Sequence, residues 1–115
     1  MSVTTAEVAE IIRGVSTRVI DPGFRRLSPD QIHEKAPGDL VTDLDRQAEG
    51  ELSRLLTSAG GGIVVGEESV HDDASVLQEL PPAELAWVID PIDGTKNYVN
   101  GSTHHAVMVA EVQHG

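Results

Sequence analysis

Hydrophobic positions first recur with helical spacing between Thr4 and Ile20, where Val8, Ile11, Ile12, Val15 and Val19 fall on one face. Thr4 and Glu7 have the spacing of a capping box, which sets the start of this helix, and Asp21-Pro22-Gly23 ends the pattern. The stretch from there to Gly38 is mixed; Ser28-Pro29-Asp30 fits a short helical turn or a mobile loop. A second helical stripe, Leu44, Ala48, Leu52, Leu55 and Leu56, follows Thr42 and Asp43 and stops at Gly60-Gly61-Gly62. Beyond it the period changes. Ile63-Val64-Val65 predicts a short strand running into Gly66-Glu67-Glu68. Leu85 to Ile89 predicts a buried strand, because it is a continuous apolar run between breakers, and Ala106 to Val112 predicts another. Asp72 to Leu80 reads as a surface helix closed by Pro81-Pro82.

Two helices followed by strands and turns predict an α+β fold, a single domain with helices layered on a sheet. The 115 residues correspond to one domain at most. The last predicted strand has no obvious partners after it, so the chain reads as the first part of something larger. Aromatic residues are scarce, one Phe, one Trp and one Tyr, so core volume must come from Val, Ile, Leu and Ala.

The formal net charge of −11, from 19 acidic and 8 basic residues, argues against nucleic acid or an anionic membrane as partner. Basic residues do not cluster beyond Arg25-Arg26. An acidic protein that handles a phosphate ester needs something to cancel the repulsion, and a bound cation is the simplest candidate. With no cysteine, disulfides and thiolate metal sites are excluded. Neither a signal-peptide core nor an apolar run of membrane-spanning length is visible, which makes the cytoplasm the expected compartment.

The strongest chemical signal is Trp87-Val88-Ile89-Asp90-Pro91-Ile92-Asp93-Gly94-Thr95. A buried strand ends in two carboxylates three residues apart, and Pro91 between them prevents regular continuation. Such a turn can direct both carboxylates and the Ile92 carbonyl toward one point, an oxygen set suited to magnesium. Gly94 and Thr95 can then open a helix whose backbone N–H groups face a phosphate. Taken alone, Asp90 is equally well a helix cap and Asp93-Gly94 an ordinary turn. The balance shifts because Glu67 and Glu68 also follow a short apolar strand, and strands of one sheet bring their ends together. Carboxylates so gathered raise one another's pKa values unless a cation joins them. A third acidic feature, Asp39-Leu40-Val41-Thr42-Asp43-Leu44-Asp45, reads first as helix capping, with Asp45 in a first turn.

Other site types fail on spacing. An EF-hand loop needs alternating acidic positions, phosphatases with an aspartyl nucleophile separate their acidic pair by one residue, and no Walker-type segment is present. His104-His105 reads as a surface or turn pair, and Trp87 and Tyr98 as packing residues.

Three segments in order, Asp39-Leu40-Val41-Thr42-x-x-Asp45, Gly66-Glu67-Glu68-Ser69 and Trp87 through Tyr98, resemble the inositol monophosphatase family of lithium-sensitive, magnesium-dependent phosphatases. The resemblance runs from about Lys35 to the C-terminus. It implies the N-terminal part of an αβαβα sandwich, with residues 1–115 the metal-binding half and the C-terminal half absent. It also implies roles. Glu67, Asp90 and the Ile92 carbonyl would hold one Mg2+, with Mn2+ as a substitute, and Asp90 and Asp93 would help hold a second. Asp45 and Thr95 would orient and activate the attacking water, and the Gly94 and Thr95 amides would receive the phosphate. Glu68 would assist through water, and Lys35 is similar to a basic residue that precedes the first motif in relatives. The implied activity is hydrolysis of inositol monophosphate or a related sugar phosphate by a homo-oligomer, a dimer. A sibling activity on fructose bisphosphate, histidinol phosphate or an adenosine bisphosphate is the alternative within the class. A non-catalytic regulatory or assembly module is the alternative outside it.

Overall fold

The computed structural model describes residues 3–114. Helix α1 spans Thr5–Val15, and its start carries the expected capping box: the Glu7 N–H donates to Thr4 Oγ1 and the Thr4 N–H to Glu7 Oε1. The helical path ends at Asp21-Pro22-Gly23, as expected, but takes these residues in as its last turn. It widens into a π turn, Ser16–Ile20, in which the Asp21 N–H reaches the Ser16 carbonyl, and closes with a last turn α2, Asp21–Gly23. Proline is tolerated there because its fixed φ suits the opening of a helical turn and its missing N–H falls where no intrahelical partner is needed.

The mixed stretch before the second helix holds a 3-10 turn, Pro29–Gln31, and a hairpin of β1 (Ile32–Ala36) and β2 (Asp39–Thr42), paired antiparallel. This hairpin departs from the sequence expectation. Its first strand, Ile-His-Glu-Lys-Ala, lacks apolar alternation because most of its side chains meet solvent. Helix α3, Asp43–Gly60, begins at Thr42 with a second capping box formed by Asp45. Its exit places Gly61 at φ +74°, a left-handed conformation that favours glycine.

Strand β3 (Ile63–Gly66) leads into the short helix α4 (Glu67–Asp72) and a 3-10 turn, Ala74–Glu79. The surface helix expected over Asp72 to Leu80 is thus only this 3-10 turn, capped by the extended backbone and side chain of Asp73, and α4 before it was not expected. Strand β4 (Leu85–Asp93) lies between β3, parallel to it, and β5 (Ala106–Gln113), antiparallel. Pairing with β5 shifts register between Asp90 and Asp93, so the strand continues past Pro91 only through a bulge. Gly94 then turns the chain at φ +82° into α5 (Thr95–Val99).

One face of the sheet packs on α1, the π turn and α3. Val15, Val19, Ile20, Ala48, Leu52, Leu56, Trp87, Ile89, Ile92 and Tyr98 form the buried core. Trp87 donates its indole N–H to the Gly61 carbonyl at 2.9 Å, and Tyr98 its hydroxyl to the Ile20 carbonyl at 2.6 Å. Both are packing residues, as expected. His105 is half-buried rather than superficial, its ring 5.0 Å from that of Tyr98 and 5.1 Å from that of Phe24. Mixed helix and sheet in layers agree with the α+β expectation.

Candidate functional site

The carboxylates singled out in the sequence lie where β3 ends alongside β4, because the parallel register sets Gly66 opposite Ile89. Glu67 and Glu68 therefore leave β3 next to the point where Asp90 leaves the core of β4. Helix α3 contributes Asp45 from below, and the hairpin contributes Lys35.

Asp45 is fully buried, and both of its oxygens are engaged. Oδ2 accepts from the Thr42 N–H at 2.7 Å and the Thr42 hydroxyl at 2.6 Å, which is the capping role. Oδ1 lies 2.9 Å from Thr95 Oγ1, so the residue also reaches across to α5. Thr95 Oγ1 is in addition 3.0 Å from the Ile92 carbonyl, and its one proton can serve only one of these acceptors at a time. Burial pushes the Asp45 carboxyl up, opposed by the hydrogen bonds from Thr42 and Thr95. Capping and reach to Thr95 are two functions of one carboxylate.

Asp90 carries the largest perturbation. Its carboxyl is pushed up to about 8, first by burial, then by a hydrogen bond with Glu67 and by the charges of Glu67, Asp93 and Asp45. Its Oδ1 is buried without a partner. Glu67 and Asp93 remain exposed to solvent. Glu68 is buried, 3% exposed, and its Oε1 accepts from Lys35 Nζ at 3.1 Å while Oε2 has no partner. Lys35 Nζ also lies 3.5 Å from Glu67 Oε1, and its side chain is 6% exposed. Burial alone would lower the Lys35 pKa, but the Glu68 hydrogen bond and the surrounding carboxylates leave it raised.

The convergence is partial. Among the described residues no three His, Asp or Glu side chains stand close enough together to hold a metal ion as they are now oriented. Asp90 leans on Glu67 through a proton, and the Lys35 ammonium balances the two glutamates. The donor set nevertheless fits a hard cation: carboxylate and carbonyl oxygens, two of them buried and unpartnered. Gly94 sits where a Cβ would meet the His104 carbonyl oxygen at 2.8 Å, so no side chain can stand between this turn and β5.

The sequence reading missed one member of the cluster. Glu49, on α3 one turn after Asp45, is buried beneath α4 and accepts from the N–H groups of Glu68 (2.8 Å) and Ser69 (3.0 Å). The available signal was its place beside Ala48 in the apolar stripe, where a charged residue is out of pattern.

The Inositol monophosphatase family profile matches residues 2–115. The chain is 33% identical over 108 residues to a fructose-1,6-bisphosphatase/inositol-1-monophosphatase of Aquifex aeolicus, covering 93% of this chain and 38% of that protein. It is 37% identical over 88 residues to the Nus factor SuhB of Pseudomonas aeruginosa, covering 76% of this chain and 31% of that one. Its fold superposes on an IMPase of Thermotoga maritima with a TM-score of 0.72 at 25% identity, covering 92% of this chain and 38% of the other. The chain spans about two fifths or less of these relatives. It belongs to the inositol monophosphatase family, a family of phosphatases.

Proposed function

From that membership we propose that this chain is the metal-binding, water-activating part of a magnesium-dependent phosphomonoesterase acting on inositol monophosphate or a related sugar phosphate. Glu67, Asp90 and Asp93, with the Ile92 carbonyl, would hold the cations. When bound, magnesium supplies Lewis acidity, making water a stronger acid and offsetting negative charge on the phosphoryl oxygens. The residues of this chain do the rest. Thr95 Oγ1 accepts a proton from the attacking water as it passes its own to Asp45 Oδ1, whose buried carboxyl is the better base for being raised. The water oxygen bonds to phosphorus, the ester oxygen leaves with the bonding electrons, and a proton returned to it gives the free alcohol and inorganic phosphate. Gly94 and Thr95 backbone amides would face the phosphate, and Lys35 and Glu68 would hold the water network between hairpin and α4. The reading includes a cytoplasmic homo-oligomer.

The observation that carries it is Asp90, a half-buried carboxyl with one orphaned oxygen, driven up in pKa first by burial and then by the carboxylates around it. A divalent cation would relieve all three conditions at once. Calorimetric titration with Mn2+ tests this directly: the parent should give a saturable signal that Asp90→Asn abolishes. Equal affinity in both would remove Asp90 from the site.

A second reading, a protein-binding module, draws on the relatives named as Nus factors. The presence of Asp45, Glu67, Asp90, Asp93 and Thr95 together supports the catalytic reading, since a binding module has no need of that set.

A further inference from the structure

Glu49 has no part in the chemistry above, yet it is 9% exposed and carries a charge into the interior. Burying a carboxylate is costly unless its oxygens find donors, and here each finds one. Oε1 accepts from the Glu68 N–H at 2.8 Å and Oε2 from the Ser69 N–H at 3.0 Å. These are the opening amides of α4, and the carboxylate that takes them comes from 19 residues away rather than from a local cap.

Two features make this more than a helix cap. Gly66 leaves space for it: a Cβ at Gly66 would stand 2.3–2.6 Å from the Glu49 carboxylate atoms. At φ −103° and ψ 152° the Gly66 backbone is ordinary extended chain, so glycine is needed there for space and not for conformation. The placement is also electrostatically unfavourable, since Glu67 lies near enough to push the Glu49 carboxyl up, alongside the larger effect of burial. The helix it holds contributes little to the core; its only buried residue is Glu68. A contact made only for stability would not set a second carboxylate against this cluster.

Glu49 and Asp45 are one turn apart on the same face of α3. Asp45 grips Thr95 and Glu49 grips the Glu67-Glu68 turn, so one rigid helix spans both sides of the site. We propose that Glu49 is a positioning residue: it fixes the Glu67-Glu68 turn relative to the Asp45–Thr95 pair and so sets the spacing at which the carboxylates meet a cation. The inference rests on the metal reading above and adds a residue to it.

The test uses the full chain with Glu49→Gln and Gly66→Ala. Glutamine can accept from only one of the two amides and points its NH2 at the other; alanine at position 66 drives Glu49 off without touching its charge. Amide exchange followed by NMR should quicken selectively at Glu68 and Ser69, by about 10-fold or more, with α3 and β4 unchanged. The Mn2+ Kd should weaken by about 10-fold in both variants, the usual scale for residues that orient ligands. Leu56→Ala, a core truncation remote from the turn, should lower the melting temperature and leave the Mn2+ Kd alone. Unchanged exchange at the two amides, exchange quickened equally throughout, or an Mn2+ Kd that follows melting temperature in all three variants would each overturn the proposal. A parent that binds no Mn2+ removes the metal reading, and selective exchange at Glu68 and Ser69 then still decides whether Glu49 holds the turn.

Discussion

Asp90, by its buried carboxyl, and Thr95, by its hydroxyl against Asp45, each make a prediction. An unfolded Asp90 titrates near the ordinary 3.8, while in the folded chain it titrates at about 8. Between those values the native state holds the extra proton, so stability declines as pH rises from about 4 to about 8 and then levels. Metal-free melting temperatures should fall across that window, fall less in Asp90→Asn, and recover at pH 8 when Mn2+ is added. A flat profile in the parent would mean that neither burial nor the neighbouring carboxylates perturb Asp90. The Thr95 hydroxyl lies 2.9 Å from Asp45 and 3.0 Å from the Ile92 carbonyl. In a longer protein that completes the fold, Thr95→Ala should lower turnover of inositol monophosphate by about 100-fold or more, the scale of a lost proton-transfer partner. Mn2+ affinity should stay near the parent's, because the hydroxyl is assigned to water and not to an ion. At this scale the sequence was most legible where a residue type sits against its local pattern at a strand end, as Glu67, Asp90 and Asp93 do. Glu49 was legible only as a charge out of pattern beside Ala48; its role was not, because its partners are backbone amides 19 and 20 residues away and no spacing rule reports them.

Helix α3 is the element on which the site depends, and its start is fixed by Thr42. The Thr42 hydroxyl accepts from the Asp45 N–H at 3.2 Å, and Asp45 Oδ2 accepts in return from the Thr42 N–H at 2.7 Å. Removing the hydroxyl in Thr42→Ala should cost about 1–2 kcal/mol, as loss of a threonine cap does. For a domain of this size that is a fall of roughly 4–8 °C in melting temperature by circular dichroism. Thr42→Ser keeps the cap and should lose less; equal losses in the two would assign the effect to the buried methyl. The capping box at Thr4 and the apolar stripes of both helices were readable because cap and stripe are local; at the second helix capping was read for Asp43 and Asp45 and the box at Thr42 was not. The β1–β2 hairpin was not readable, since three of the five side chains of β1 are exposed and leave no alternation to read. Pro22 pointed to a helix end because proline ordinarily breaks a ladder of i to i−4 bonds. The π turn before it changes that ladder, and nothing in the composition of residues 16–20 announces the change.

Across the whole molecule, the two faces of the three-stranded sheet differ. One is covered by α1 and α3; the other presents Val65, Val88, Met108 and Ala110 around a groove of about 400 Å3 that ends at Glu67 and Asp90. Met108 is 51% exposed and Leu77, on the groove's rim, 48%. Strand β5 pairs with β4 on one side only among the described residues, so its other edge offers backbone N–H and C=O groups. Apolar patches and open edges of this kind favour association. Against that stands a net charge of −11, which repels like copies at low ionic strength and is screened at a Debye length of about 10 Å in 0.1 M salt. The balance predicts salt-dependent self-association of the 115-residue chain. Sedimentation should find the mean mass rising from low salt to about 0.5 M, and Met108→Glu, which adds charge on the apolar face, should hold it near 12.2 kDa. The same inventory predicts the activity of these residues alone. Magnesium demands near-octahedral oxygen coordination, and a second ion would find only Asp90 and Asp93 here. Magnesium-dependent phosphate release from inositol monophosphate should therefore stay at background whether the preparation is monomeric or associated. Efficient turnover by a monodisperse sample, confirmed by mass and abolished in Asp90→Asn, would show that the donors of this chain suffice without any others.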